Sequence, residues 1–147
     1  MMKINKSGSA HWEGGLKDGS GTVSTESGAL TEHPYGFNTR FGDVKGTNPE
    51  ELIGAAHAGC FTMALTAALS RAGIKPTRIH TEARVTLDKI GDAFSITKIE
   101  LATEAEIPGI DDAAFQNYAE GAKEGCPVSK ALAGTEIHLN AKLLNAG

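Results

Sequence analysis

Two cysteines, Cys60 and Cys126, are the only thiols in this 147-residue chain, and thiol chemistry is the first its residues invite. In a reducing compartment a purely structural disulfide is uncommon, so two thiols there suggest redox work. The thiolate, not the thiol, attacks an electrophile. At the ordinary pKa near 8.5 only about 3% of a thiol is ionised at pH 7, whereas lowering that pKa by ~2 units makes roughly three-quarters of it anionic. The question at each cysteine is what would hold its charge.

Cys126 lies in Gly125-Cys126-Pro127. Proline at the first helical position leaves Cys126 at the N-cap, where unpaired backbone N–H groups and the helix dipole favour a thiolate. A loop cysteine is the plainer alternative. Cys60 sits well inside an apolar helical stretch, where the plainer alternative is a small buried hydrophobe. The dipole gives it little help, because the terminal field fades within the first turn and Pro49 is about three turns away. A cation from elsewhere is required.

His57, one turn before Cys60, could touch the thiol as a base, although a hydrogen-bonded interface histidine is the simpler assignment. Five histidines and two cysteines raise the question of a metal. No Cys-x-x-Cys or His-x-x-x-His spacing supports one, and a disulfide oxidoreductase with a close cysteine pair is disfavoured on the same ground. Asp111 and Asp112, an adjacent carboxylate pair, read as helix capping rather than acid–base catalysis.

The elements that must position these groups follow from turn and periodicity signals. Lys17-Asp18-Gly19-Ser20-Gly21 separates two strands around Ala10-His11-Trp12 and Thr22-Val23-Ser24-Thr25, and Glu32-His33-Pro34-Tyr35-Gly36 reads as a further loop. Asn48 suits an N-cap, Pro49 the first helical position, and Glu51 a capping box. The helix that starts there runs through Ala72 to stop at Gly73; its apolar residues surround it, which predicts a central, largely enclosed helix. Two-residue alternation from Ile79 to Leu87, a turn at Gly91-Asp92 and a return over Phe94 to Glu106 make a long hairpin. A second helix capped by Asp111 or Asp112, a short third helix after Cys126 and a closing strand from Ile137 to Leu143 complete an α+β fold with antiparallel sheet.

Composition bounds the rest. The chain carries 40% hydrophobic and 22% charged residues and a net charge of -4, values of a globular protein of one domain, residues 1–147. No dense basic cluster points to nucleic acid or an anionic membrane. The first residues lack the apolar stretch of a secretory signal, so a cytoplasmic location is expected. The tract from Leu52 to Leu69, interrupted by His57, Thr62 and Thr66, fits a buried core helix better than a membrane span.

Several separated blocks carry a family resemblance: Ala10-His11-Trp12-Glu13-Gly14, Gly36-Phe37-Asn38-Thr39-Arg40-Phe41, Gly46-Thr47-Asn48-Pro49-Glu50-Glu51-Leu52, Ala55-Ala56-His57-Ala58-Gly59-Cys60-Phe61 and Gly125-Cys126-Pro127-Val128-Ser129. Together, over nearly the whole chain, they resemble the OsmC branch of the OsmC/Ohr family, with Gly59 where alanine is more usual. The resemblance implies antiparallel sheets around a long central helix in an intertwined homodimer, with two active sites at the subunit interface. It implies reduction of organic hydroperoxides, and less well of hydrogen peroxide, with no metal and no bound cofactor. By the same resemblance Cys60 is the peroxidatic cysteine, Cys126 the resolving one, Arg40 the activating guanidinium and Glu50 its orienting carboxylate. A dithiol such as a lipoyl group is the implied reductant.

Those roles fit the chemistry of the groups. Arginine stays charged and offers a planar fork of donors, suited to a thiolate and a peroxide together. Without the resemblance, Arg40 is a solvated loop charge and Glu50 a first-turn acid favoured by the dipole. Glu50 and Cys60 on one straight helix are about 15 Å apart along its axis, which suggests that the Arg40 and Glu50 serving a given Cys60 belong to the partner chain. Phe37, Phe41, Phe61 and Met63 are candidates for an apolar substrate pocket, with core packing the alternative for the last two. A non-catalytic scaffold dimer with incidental thiols is the competing class of function.

Overall fold

A computed structural model describes residues 2–145. Its elements run β1 (Gly8–Glu13), β2 (Ser20–Thr25), β3 (His33–Tyr35), α1 (Phe37–Phe41), α2 (Pro49–Arg71), β4 (Arg78–Ile90), β5 (Ala93–Glu106), α3 (Asp112–Gly125), α4 (Pro127–Ala131) and β6 (Glu136–Leu143). The fold is α+β with two three-stranded sheets, and the chain divides into two compact units, Met1–Leu52 and Ile53–Gly147.

In the first unit β1, β2 and β3 form an antiparallel meander. The turn rich in glycine falls between β1 and β2, as its residues predict. His33–Tyr35, expected to be loop, is instead a short edge strand in which Pro34 stands opposite Thr22. An edge tolerates proline because one side of the strand has no ladder to donate to. Trp12 packs edge-on against Tyr35 with ring centroids 5.5 Å apart, and its indole N–H donates to the Gly14 carbonyl at 3.0 Å.

Helix α2 begins as its cap residues dictate. The Asn48 side-chain oxygen accepts from the Glu51 amide at 2.8 Å, and Asn48 returns a side-chain donor to the Glu51 carboxylate at 3.0 Å. That return bond replaces the backbone contact of a regular capping box. The helix ends where Gly73 turns to φ +75° and the Ile74 amide reaches back to the Leu69 carbonyl at 2.9 Å. A left-handed residue is what this termination needs, and glycine adopts it without strain.

Burial along α2 corrects the expectation of an enclosed helix. Gly54, His57, Phe61, Leu65 and Leu69 are buried at helical spacing, while Ala55, Ala56, Gly59 and Ala67 are exposed and Met63 is 76% exposed. The sheet of the second unit covers one side of the helix only: Phe61, Leu65 and Leu69 join Ile99, Leu101 and Ala105 of β5 in a single core with Phe115, Ala119 and Ala122 of α3. Full burial of each large side chain there contributes about 1.5–3 kcal/mol. By length and composition α2 could cross a membrane, but its buried stripe supplies the centre of this core, so it is a core helix.

The hairpin of β4 and β5 turns at Gly91 and pairs from Ile90 opposite Ala93 to Arg78 opposite Glu106, with one irregularity at Thr86/Leu87. Strand β6 then joins β5 in parallel, Lys98 facing Glu136 and Ala105 facing Leu143. The expectation of purely antiparallel sheet is therefore wrong for this strand. Residues 107–135, with α3 and α4, form a crossover that carries the chain back to the start of β5, and a parallel pair requires such a connection. Asp111 caps α3 by accepting from the Ala114 amide at 2.8 Å, as the carboxylate pair suggested.

Candidate active site

The first unit places Arg40 by a chain of short polar contacts. In α1 the Thr39 hydroxyl donates to the Gly36 carbonyl and accepts from the Gly36 amide, and the Asn48 amide group donates to the Thr39 carbonyl at 3.3 Å. This ties α1 to the cap of α2, whose second residue is Glu50. The Arg40 Nε donates to one Glu50 oxygen at 3.0 Å and one terminal nitrogen donates to the other at 2.9 Å. A fork of this kind fixes both position and plane of the guanidinium. The remaining terminal nitrogen is outside the Glu50 grip. Glu50 is nearly buried, while the Arg40 side chain keeps 36% of its surface exposed. The Arg40–Glu50 ion pair lies within the first unit, and neither residue is a free surface charge.

In the second unit the two cysteines meet. Both are free thiols, and Cys60 on α2 lies beside Cys126, the residue that joins α3 to α4. Cys126 is fully buried and Cys60 is partly exposed. Burial pushes the Cys60 thiol up, the neighbouring Cys126 pushes it the same way, and the Val128 amide opposes both without prevailing. Burial also works against charge on Cys126. There it is outweighed by the neighbouring Cys60 thiol, the amide and hydroxyl of Ser129 and the Val128 amide, which together bring the thiol below its ordinary range. The sulfur makes no regular capping bond to α4; the first-turn amides favour its anion electrostatically.

Burial thus works against charge on both sulfurs, and the groups around Cys126 offset it more than those around Cys60. The sulfur open to solvent is the one whose surroundings push its pKa up.

His57 does not face Cys60 as a base. It is fully buried, and its Nε2 lies 2.7 Å from the Ser129 hydroxyl oxygen. Its Nδ1 has no hydrogen-bond partner, and burial lowers its basicity. Ser129 was quoted above only within a block of similarity; no spacing rule links residues 57 and 129, and only the fold brings them together. Of the apolar candidates, Phe61 belongs to the core and Met63 lies exposed on α2, while Phe37 and Phe41 stack with centroids 5.0 Å apart beside Arg40. Among the described residues no group of three or more His, Cys, Asp or Glu is placed to hold a metal.

Two cysteines in contact, one reachable and one buried, on an α+β scaffold define a two-cysteine thiol protein. The chain belongs to the OsmC family, whose description, OsmC-like protein, matches residues 42–142. It is 58% identical to Peroxiredoxin OsmC of Escherichia coli (strain K12) over 142 residues, 97% of this chain and 99% of that protein. The crystal structure of an organic hydroperoxide resistance protein from Elizabethkingia anophelis superposes with a TM-score of 0.70 at 28% identity, covering 98% of this chain and 99% of that one. An OsmC-like protein from Mycoplasma pneumoniae shares the fold at 16% identity, with a TM-score of 0.74 over 98% and 100% of the two chains.

Proposed function

We propose that this chain is a thiol peroxidase that reduces organic hydroperoxides, and hydrogen peroxide less well, with Cys60 as nucleophile and Cys126 as resolving thiol. The observation that carries this is an accessible Cys60 lying beside a buried Cys126, both free thiols. Similarity to proteins described as a peroxiredoxin and as an organic hydroperoxide resistance protein supports it.

In this reaction the Cys60 thiolate attacks the outer peroxide oxygen and the O–O bond breaks. The alkoxide takes a proton and leaves as alcohol, and Cys60 becomes a sulfenic acid. The Cys126 thiolate then attacks that sulfur; the S–S bond forms, the S–O bond breaks, and hydroxide takes a proton to leave as water. A dithiol, a lipoyl group being our assignment, restores both thiols by two exchanges and is itself oxidised to a disulfide. The cycle needs no metal and no bound organic cofactor.

Arg40 is the cation that Cys60 lacks. Its terminal nitrogen outside the Glu50 grip would stabilise the thiolate and hydrogen-bond the peroxide, while Glu50 holds the guanidinium plane. We assign the protein to an intertwined homodimer in which Arg40 and Glu50 of one subunit serve Cys60 of the other. The exposed small and apolar face of α2 supports a second copy as its cover, because a helix apolar all round is stable only when covered all round. Residues 1–147 then act as one domain, and the reducing cytoplasm is the compartment that keeps both thiols free.

Stopped-flow consumption of an alkyl hydroperoxide by wild type, Cys60→Ser and Cys126→Ser tests the assignment. The fast first step is expected to require Cys60 alone, and Cys126→Ser should stop after one turnover with a trappable sulfenic acid. Slow, unselective oxidation of either thiol would favour a scaffold dimer instead. Mixed dimers of Cys60→Ser and Arg40→Ala subunits should regain activity; failure to complement would place the pair and the thiol in one chain.

A further inference from the structure

Helix α4 is five residues long, Pro127–Ala131, and lies between Gly125 and Gly134. A helix of that length does not persist by itself, so contacts with the rest of the fold must hold it. Its buried residue is Ser129, whose hydroxyl oxygen meets Nε2 of the fully buried His57 on α2 at 2.7 Å. Whichever of the two donates, the bond ties α4 to α2. It is kept at a cost, because Nδ1 of the same imidazole is buried with no partner among the described residues. An apolar residue would fill the position without that cost, so packing alone does not account for a histidine here.

The tie has the same register as the cysteine pair. His57 and Cys60 are one turn apart on α2, neighbours along one face of the helix. Cys126 and Ser129 are likewise one turn apart at the start of α4, where the Cys126 carbonyl accepts from the Lys130 amide at 3.1 Å. A contact between residues 57 and 129 thus has Cys60 and Cys126 one turn away on both segments, and there Cys60 lies beside Cys126. We propose that the His57–Ser129 contact is a brace that holds Cys126 in place against Cys60 for disulfide closure, with His57 and Ser129 as positioning residues. Its part in turnover rests on the peroxidase reading; the brace itself depends neither on that reading nor on the charge of either sulfur.

The brace decides the fate of oxidised Cys60. Either Cys126 attacks the sulfenic sulfur, so that the S–S bond forms and hydroxide takes a proton to leave as water, or that sulfur attacks a second hydroperoxide. In the second case the O–O bond breaks, sulfur keeps the oxygen as sulfinic acid, and an alcohol leaves; the excess hydroperoxide is the oxidant. Closure is intramolecular, so its rate follows how well Cys126 is held. The length of the side chain at position 57 is the sharpest probe of this. Glutamine places an amide about where the imidazole Nε2 stands and can donate or accept there, whereas asparagine, one methylene shorter, falls short of Ser129. Ser129→Ala removes the hydroxyl and Ser129→Thr keeps it.

After one hydroperoxide pulse and a quench with an alkylating agent, His57→Asn and Ser129→Ala are expected to close the disulfide about tenfold more slowly than wild type. They should also accumulate sulfinic acid, read by mass spectrometry, at hydroperoxide concentrations that leave wild type as disulfide. Loss of the Cys60 thiol in the first step should keep its wild-type rate, and His57→Gln and Ser129→Thr should close normally. In a glutathione redox buffer without peroxide, the Cys60–Cys126 equilibrium reports how firmly the two sulfurs are held together, and the same two variants should form the disulfide about tenfold less readily. Equal closure in folded His57→Gln and His57→Asn, or an unchanged glutathione equilibrium in Ser129→Ala, would overturn the brace; if Ser129→Ala does not fold, the two His57 variants decide in the same buffer. Wild type that consumes no hydroperoxide would instead overturn the peroxidase reading, and the glutathione equilibrium would still judge the brace.

Discussion

Arg40 grips Glu50 through both the Nε and one terminal nitrogen, at 3.0 and 2.9 Å, so the guanidinium is held by its side and presents its other edge outward. A lysine could supply the charge at this position but not the fork. Arg40→Lys is therefore expected to lower kcat/KM for an alkyl hydroperoxide on the order of 10²-fold, nearly as much as Arg40→Ala. Glu50→Gln should cost less, about tenfold, because the amide keeps one of two acceptors. Steady-state rates for the three variants check this, and near-wild-type activity in Arg40→Lys would show that orientation is unimportant.

The buried, neutral His57 should make stability depend on pH. Its folded-state pKa is lowered by burial, while the unfolded imidazole titrates near 6.5. Stability is therefore complete above about pH 6.5. Below that pH the unfolded chain binds a proton that the folded chain refuses, and stability falls by up to about 1.4 kcal/mol per pH unit until the folded pKa is reached. Urea midpoints measured from pH 7.5 to pH 5 should show the decline in wild type and a flatter profile in His57→Gln. Identical slopes would mean that His57 takes up its proton without unfolding.

Two glycines of α2 should respond to alanine in opposite directions. A methyl on Gly54 would lie 3.0 Å from the Ala83 carbonyl oxygen and 3.6 Å from a Val85 methyl, so the helix would have to lift from β4. A methyl on Gly59 would meet nothing within 4 Å in this chain. Gly59→Ala is expected to stabilise by up to about 1 kcal/mol through helix propensity, and Gly54→Ala to destabilise despite the same gain. Thermal melts of both variants test this, and a stabilised Gly54→Ala would contradict the close approach of helix and strand.

Removing the Phe61 ring should be the costliest of these changes. Phe61 is fully buried one residue beyond Cys60, and it packs in the core with Leu65 and Leu69. Phe61→Ala should lose about 3–5 kcal/mol of unfolding free energy by chemical denaturation, while Met63→Ala, on the exposed side, should change little in the monomer. An equally large loss in Met63→Ala would show that a second copy covers that face.

Much of this molecule was legible because its signals are local. Asn48, Pro49 and Gly73 set the limits of α2, Gly91 turned the hairpin, and Asp111 capped α3, each through a contact within a few residues. What stayed hidden is non-local. The alternation from Ile137 to Leu143 says that a strand exists but not which neighbour it joins or in which direction, so its parallel pairing was missed. His33–Tyr35 was hidden by proline, which marks a loop and an edge strand alike. Cys60 and Cys126 stood out as the two thiols and Arg40 and Glu50 were named from blocks of similarity, whereas the Ser129 bond to His57 depends on two elements meeting in space. The apolar circumference of α2 was read correctly, but burial follows what packs against a helix, and one chain covers only part of it.

The parallel joining of β5 and β6 has an outcome for the newborn polypeptide. Cys126 travels within the segment that must loop back before the last strand can dock, so a chain still emerging from the ribosome exposes Cys60 well before its companion is seated. Until the last strand docks, nothing in the finished fold holds the two sulfurs side by side, so their pairing is a late product of folding.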